Sequence, residues 1–261
     1  MTVQTVPRRD GSRDPGPTGS VGARDTRRRA TDTRSAALAL VSGSLFLALA
    51  WVLVHSTVLG TADGAGSLAV RDWAGARPGS PVVQVVHLGD PLSVVAVVGL
   101  LAATTSLARR RWWPALGSAV TLAVLALLVE GSKLVLGRMP PTPDGARSAT
   151  FFTDGSSFPS GHTTGTLVAL TLVASLVAGP GGLSPSRVLY AVLVAGALAT
   201  ALVVGAITVA LGWHWPTDAA GGVLLAGLVS AVGRALIHRP PPDRHAHRQS
   251  RNRHAHRQRV D

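Results

Sequence analysis

Ser160-Gly161-His162 and the later run His214-Trp215-Pro216-Thr217-Asp218 hold the residue types most able to do chemistry in this chain. In the first, Pro159 fixes the entry to the turn, Ser160 is a natural helix cap, and Gly161 lets a ligand approach the backbone closely. An apolar segment starts directly afterwards, so the turn reads as a helix N-terminus. Free N–H groups and a positive dipole end make such a terminus a site for an anion. His162 stands where it can donate a proton to that anion. An ordinary cap followed by an interfacial histidine is the plainer reading of the same residues.

His214 and Asp218 stand four apart at the mouth of another apolar segment. Pro216 suits the first helical position, which puts Asp218 in the first turn. There Asp218 either complements the helix dipole or accepts a hydrogen bond from His214. The second arrangement would fix the tautomer, stabilise the imidazolium and leave the other ring nitrogen as a nucleophile. Lys133, the only lysine, lies near the end of a third apolar segment, with Glu130 one turn earlier. Ionisable groups in such segments are functional candidates. An i,i+3 pair, or a lysine reaching for the interface, accounts for them equally simply. Arg138 follows soon after, and its two-pronged fork matches phosphate oxygens where lysine offers a point charge.

The elements that must position these residues are long apolar runs. A helix crossing ~30 Å of hydrocarbon needs ~20 mostly apolar residues. Six runs qualify, at about 36–58, 90–108, 114–136, 162–179, 188–211 and 216–237. Each is too long for a buried strand, and the alternating pattern of a lipid-spanning barrel is absent. The expected fold class is all-α: a six-transmembrane-helix bundle over 36–237, with disordered polar N- and C-terminal tails at 1–35 and 238–261.

The first tail is rich in Arg, Asp, Gly and Pro and buries too little apolar surface to fold. It is too long for the n-region of a signal peptide, so the first run is expected to stay as an anchor. The second tail repeats Arg-His-Ala-His-Arg-Gln at 244–249 and 253–258. It reads as a solvated basic segment attracted to anionic headgroups. No aromatic or folded reading element accompanies it, so no nucleic-acid partner is expected. His245, His247, His254 and His256 of its repeats offer only an unspecific metal site; no metal and no cofactor are expected. The absence of cysteine excludes disulfides and thiolate chemistry.

Arginines set the orientation through the positive-inside rule. Arg27, Arg28, Arg29 and Arg34, then Arg109-Arg110-Arg111, Arg187, and Arg234 with the basic tail all fall on one side of six spans. That side is expected to be cytoplasmic, in a multi-pass plasma-membrane protein with both termini inside. The 59–89 and 137–161 loops, the 212–215 turn, Lys133 and both histidine clusters then share the outer face. Trp213 and Trp215 suit an interfacial belt there, and Trp112 and Trp113 suit the inner one.

The order Lys133…Arg138-Met139-Pro140-Pro141, Pro159-Ser160-Gly161-His162, His214-x-x-x-Asp218 resembles the type 2 phosphatidic acid phosphatase (PAP2) superfamily. The resemblance covers roughly 36–237 and implies six spans with an outer-face active site. It implies that His214 attacks phosphorus and forms a phosphohistidine, that Asp218 orients His214, and that His162 protonates the leaving group. Lys133, Ser160 and Gly161 would bind phosphate without a metal. Two motifs depart from the family pattern. The arginine of its first motif falls on Pro140, for which Arg138, or more remotely Arg147, would substitute. The Ser-Arg of its third motif falls on Ile207 and Thr208.

The implied activity is hydrolysis of a lipid phosphate or polyprenyl diphosphate, with membrane lipids as partners. A lipid phosphotransferase is an alternative. A non-catalytic relative that binds anionic lipid is another, favoured by the absent arginines and opposed by the intact His/His/Asp set. A transporter is disfavoured, because the charged positions cluster at one face instead of mid-bilayer.

Overall fold

The structure is a computed structural model that describes residues 18–74, 81–141 and 150–238. Residues 1–17 and 239–261 of the expected tails, and Arg147, lie outside the described residues. Seven α-helices follow one another: α1 (Thr18–His55), α2 (Thr57–Ala74), α3 (Pro91–Arg109), α4 (Trp113–Leu136), α5 (Gly161–Ala178), α6 (Arg187–Ala210) and α7 (Pro216–Ile237). A 3-10 segment, Pro81–Gly89, leads into α3. The described residues contain no strand, and the fold is all-α.

Six of these helices are long and apolar enough to cross a membrane: Thr33–His55 within α1, and α3 to α7. They match the six apolar runs of the sequence. Two features differ from the sequence reading. Helix α1 starts at Thr18, ahead of the run at 36, because a helix started on apolar residues propagates cheaply through its arginines and alanines. The stretch read as an outer 59–89 loop is largely helical, made of α2 and the 3-10 segment.

Helix α5 is the axis of the bundle, buried along most of its length. Leu167, Val168, Leu172 and Leu176 of α5 join Val98 of α3, Val129 of α4, Ala201 of α6 and Leu225 and Val229 of α7 in one core. Small residues bring the helices close: a Cβ on Gly233 of α7 would meet Thr121 of α4 at 2.7 Å. Within the span, Thr171 Oγ1 and Ser230 Oγ share a hydrogen bond of 2.7 Å, which links α5 to α7 where water cannot compete.

The bundle has two chemically different ends. At one, Arg109 donates to the carbonyls of Gly182 and Leu183, and the end of α7 packs on Gly117 of α4. The arginine-bearing turns therefore gather together. Trp112 and Trp113 stack there with ring centroids 4.2 Å apart. The other end gathers the C-termini of α4 and α6, the N-termini of α3, α5 and α7, and α2.

Candidate active site

Three helix ends assemble the site. The first is the N-terminus of α5. Ser160 is its N-cap, accepting from Thr163 N–H at 3.4 Å and from Thr163 Oγ1 at 3.1 Å, and Thr164 N bonds the Ser160 carbonyl. The N–H groups of Gly161 and His162 have no partner among the described residues and lie at the positive end of the α5 dipole. The peptide bond Phe158–Pro159 is cis. Ser160 itself is fully buried, whereas Gly161 and His162 are half-buried.

The second is the C-terminus of α4. Lys133 donates to Glu130 at 3.0 Å, the i,i+3 pair that the sequence allowed. Its ammonium also lies over Gly161, within 3.6 Å of where a Cβ would stand on that glycine. The cation and the open end of α5 therefore face the same space.

The third is the turn from α6 into α7. His214 is 7% exposed and its Nδ1 lies 2.8 Å from the Ser157 carbonyl oxygen. A carbonyl only accepts, so Nδ1 carries the proton and Nε2 keeps the lone pair. The His214 and His162 rings face each other edge-on, with centroids 6.2 Å apart. Trp213 packs against His162 at 5.7 Å.

Asp218 does not stand where a direct hydrogen bond would put it. Its Oδ2 lies 3.6 Å from His214 Nδ1, an ion-pair separation beyond hydrogen-bond range. That oxygen accepts instead from the Trp215 backbone N–H at 2.8 Å. The carbonyl of Ser157 has taken the orienting contact, because the loop after Gly155 runs directly beneath the ring.

Arg138 also lies away from the position imagined for a phosphate ligand. Gly137 ends α4 in a left-handed conformation, φ +47°, and turns the next residue inward. The Arg138 side chain is fully buried. Nη1 donates to Asp218 Oδ1 and to Thr217 Oγ1, the latter at 2.8 Å, while Nη2 donates to Asp63 Oδ2 at 2.6 Å. The Phe151 and Trp215 rings lie over it at 5.1 and 5.6 Å. Its donors on both arms of the fork are thus spent on protein groups.

Asp63, on α2, is the residue that sequence reasoning missed. It is 2% exposed and also accepts from the Thr217 N–H at 3.0 Å, so it caps α7 from another helix. Nothing local marks it: it sits on a glycine-rich helix 75 residues from Arg138. Asp90 was also missed, although Asp90-Pro91 is an ordinary N-cap signature. Its Oδ1 lies 3.2 Å from His162 Nε2.

The positions that depart from the family pattern are filled differently. Thr208 is fully buried and bonds the Gly205 carbonyl of its own helix, while Pro140 is exposed. Trp215 corrects the interfacial reading: it is 2% exposed, and its Nε1 donates to the Met139 carbonyl at 2.8 Å. Trp213, at 42% exposed, keeps a surface position.

The arrangement offers an imidazole with a free ring nitrogen near a second imidazole, beside an ammonium and two backbone N–H groups without a partner among the described residues. Such a set can bind a tetrahedral anion, attack it and protonate what leaves. The chain superposes on the crystal structure of a transmembrane PAP2-type phosphatidylglycerolphosphate phosphatase from Bacillus subtilis with TM-score 0.65 and 23% identity, over 79% of this chain and 98% of that one. At that identity the likeness concerns the fold. No curated protein matches the sequence. The model of the PAP2 superfamily matches residues 114–242, so the stretch that carries Lys133, His162, His214 and Asp218 is a PAP2 superfamily domain.

Proposed function

We propose that the protein is an integral membrane lipid phosphatase that works through a phosphohistidine on His214. The observation that carries this reading is the polarity of the His214 ring. With Nδ1–H held by the Ser157 carbonyl, Nε2 keeps a free lone pair, and the His162 ring stands 6.2 Å away, centroid to centroid.

In the first step His214 Nε2 forms a bond to phosphorus as the P–O bond to the lipid breaks. His162 gives its proton to the departing oxygen. In the second step water attacks phosphorus, His162 takes the water proton, and the P–N bond breaks. Gly161 N–H, His162 N–H and Lys133 hold the phosphoryl oxygens, a placement worth most where charge builds up. Ser160 adds a hydroxyl hydrogen to the same rim while capping α5.

Asp218 supports the cationic phosphohistidine through space. Together Asp63, Asp218 and Arg138 leave one net negative charge buried behind His214. Arg138 thus acts as the clamp of Asp218, and phosphate is left to Lys133, Ser160 and the backbone. The substrates that suit a site at the end of a bundle are lipid monophosphates and polyprenyl diphosphates whose headgroups reach it. The arginine-bearing end faces the cytoplasm and the site opens on the opposite leaflet. No step requires a metal.

The test is phosphate release by the purified full chain in detergent, from a panel of lipid phosphates and diphosphates, with chelator present. The expected result is release that survives chelator and is lost in His214→Ala with folding kept. A second reading, a lipid binder without turnover, draws on the arginines absent at 140 and 208 and on the engagement of Arg138. It predicts saturable binding of lipid phosphate and no release from any member of the panel.

A further inference from the structure

We propose that Asp90 is a positioning residue for His162, so that each of the two facing histidines has a carboxylate of its own; this rests on the phosphatase reading above. Asp90 is the N-cap of α3, with φ −64° and ψ 138°. An aspartate there normally turns its carboxylate onto the N–H groups of the first turn. This one makes no side-chain cap at all. Its Oδ1 stands 3.2 Å from His162 Nε2, and its Oδ2 accepts from His87 Nδ1 at 2.7 Å. His87, on the 3-10 segment, holds one carboxylate oxygen and thereby aims the other.

The backbone is built for this approach. A Cβ on Gly89 would collide with the carbonyl of His162, and a Cβ on Gly165 would lie 2.7 Å from the Gly89 carbonyl. Only glycine at both places lets the residue before Asp90 ride directly on the first turn of α5. Two close approaches and a forgone cap together place one carboxylate on one imidazole.

The chemistry follows from which nitrogen is held. With Nε2 the ring nitrogen paired with Asp90 at 3.2 Å, Nδ1 is the nitrogen left to exchange the proton with the leaving oxygen. The other groups facing His162 are His214, Lys133 and the Trp213 ring. His214 and Lys133 become or are cationic and oppose a charge on His162; Asp90 is the group that favours its protonated, donating form.

The experiment measures turnover of whichever lipid phosphate of the panel the wild-type chain hydrolyses. The variants are Asp90→Asn, Asp90→Glu, His162→Ala and the double variant Asp90→Asn/His162→Ala. General acid catalysis contributes roughly 10²-fold to 10⁴-fold, so losing its support in Asp90→Asn is expected to lower kcat about 10-fold to 100-fold with KM nearly unchanged. Asp90→Glu should recover most of that loss. In the absence of His162, the Asp90 substitution should have no further effect, since its action passes through that ring. Wild-type kcat in Asp90→Asn, a change confined to KM, or an equal further loss on top of His162→Ala would overturn the assignment. Release that depends on His214 but not on Asp90 would sink this assignment and spare the phosphatase; no release from any lipid would remove both.

Discussion

Arg138 and Asp63 meet through Nη2 and Oδ2 at 2.6 Å, both side chains sealed from solvent, and so tie the segment after α4 to helix α2. The same guanidinium holds Asp218, so one cation stands between two carboxylates. Removing one partner of a buried pair costs about 3–5 kcal/mol, because the remaining charge is left without compensation. Arg138→Ala leaves two carboxylates facing each other and is expected to lower the thermal midpoint in detergent sharply. Arg138→Lys should not restore it, since a single ammonium cannot fork to both. A phosphate ligand would behave differently, raising KM with the midpoint unchanged. Thermal unfolding beside KM decides between them.

Gly89 tests how closely the 3-10 segment must ride on α5. Gly89→Ala forces a methyl against the His162 carbonyl, which is backbone and cannot swing aside. Overpacking of this kind costs about 1–3 kcal/mol. The expected result is a lower midpoint together with a fall in kcat, since the displaced turn carries His162. Gly99, on the next helix, has open space where a methyl would stand, and Gly99→Ala should leave both unchanged.

Much of the fold was legible because lipid leaves the sequence few choices. A run of ~20 apolar residues bounded by arginines or proline can only be a span, and the runs at 90–108, 114–136 and 216–237 fall within a residue or so of α3, α4 and α7. His162, His214 and Asp218 stood out in the sequence because each lies at or just before a helix start, where type and spacing carry meaning, and the structure brings the three together. Asp63 was not. Its partners come from the far ends of α4 and α7, and a long-range pair leaves no periodic trace. Arg138 was visible but misplaced. Counting residues treats the chain after Leu136 as extended toward the ligand, whereas left-handed Gly137 sends the side chain into the core. Trp215 was misplaced too, because its indole donates to the Met139 carbonyl and is drawn inward from the interface.

Orientation can be read directly because the chain lacks cysteine. Single cysteines at Thr150 and Ser184 occupy exposed positions at opposite ends of the bundle. In intact cells, Thr150→Cys should react with an impermeant maleimide and Ser184→Cys only after permeabilisation. The reverse pattern would place the site on the cytoplasmic leaflet.

His238, just past α7, gives the arginine-bearing end a pH dependence. Burial first, and the nearby Arg234 charge second, hold its imidazole down to about 4 from a usual 6.5, against a hydrogen bond donated to the Pro180 carbonyl that raises it. Between those two values the unfolded chain binds a proton that the folded chain refuses. Stability should therefore be flat above roughly pH 6.5 and fall as pH drops toward 4. His238→Gln cannot titrate and should flatten that part of the curve, measured as thermal midpoint against pH. A midpoint that rises on acidification would contradict the burial of a neutral ring.

Lys133 is the test of how the site manages without the arginines at 140 and 208. Its ammonium lies over Gly161 and is shared with Glu130, whose side chain is mostly exposed. A pair so placed is weak, so the lysine can leave Glu130 for a phosphoryl oxygen at little cost. Lys133→Ala should then lower kcat/KM by roughly 10²-fold to 10³-fold, the usual effect of deleting one donor from an anion cradle. Glu130→Gln should change it only slightly, since it frees a cation that substrate would have drawn away in any case. Lys133→Arg should recover part of the loss, because a guanidinium restores charge and adds the fork that this site lacks. If Lys133→Ala keeps full turnover, the helix N-terminus of α5 carries the phosphate alone, and the lysine is only the partner of Glu130.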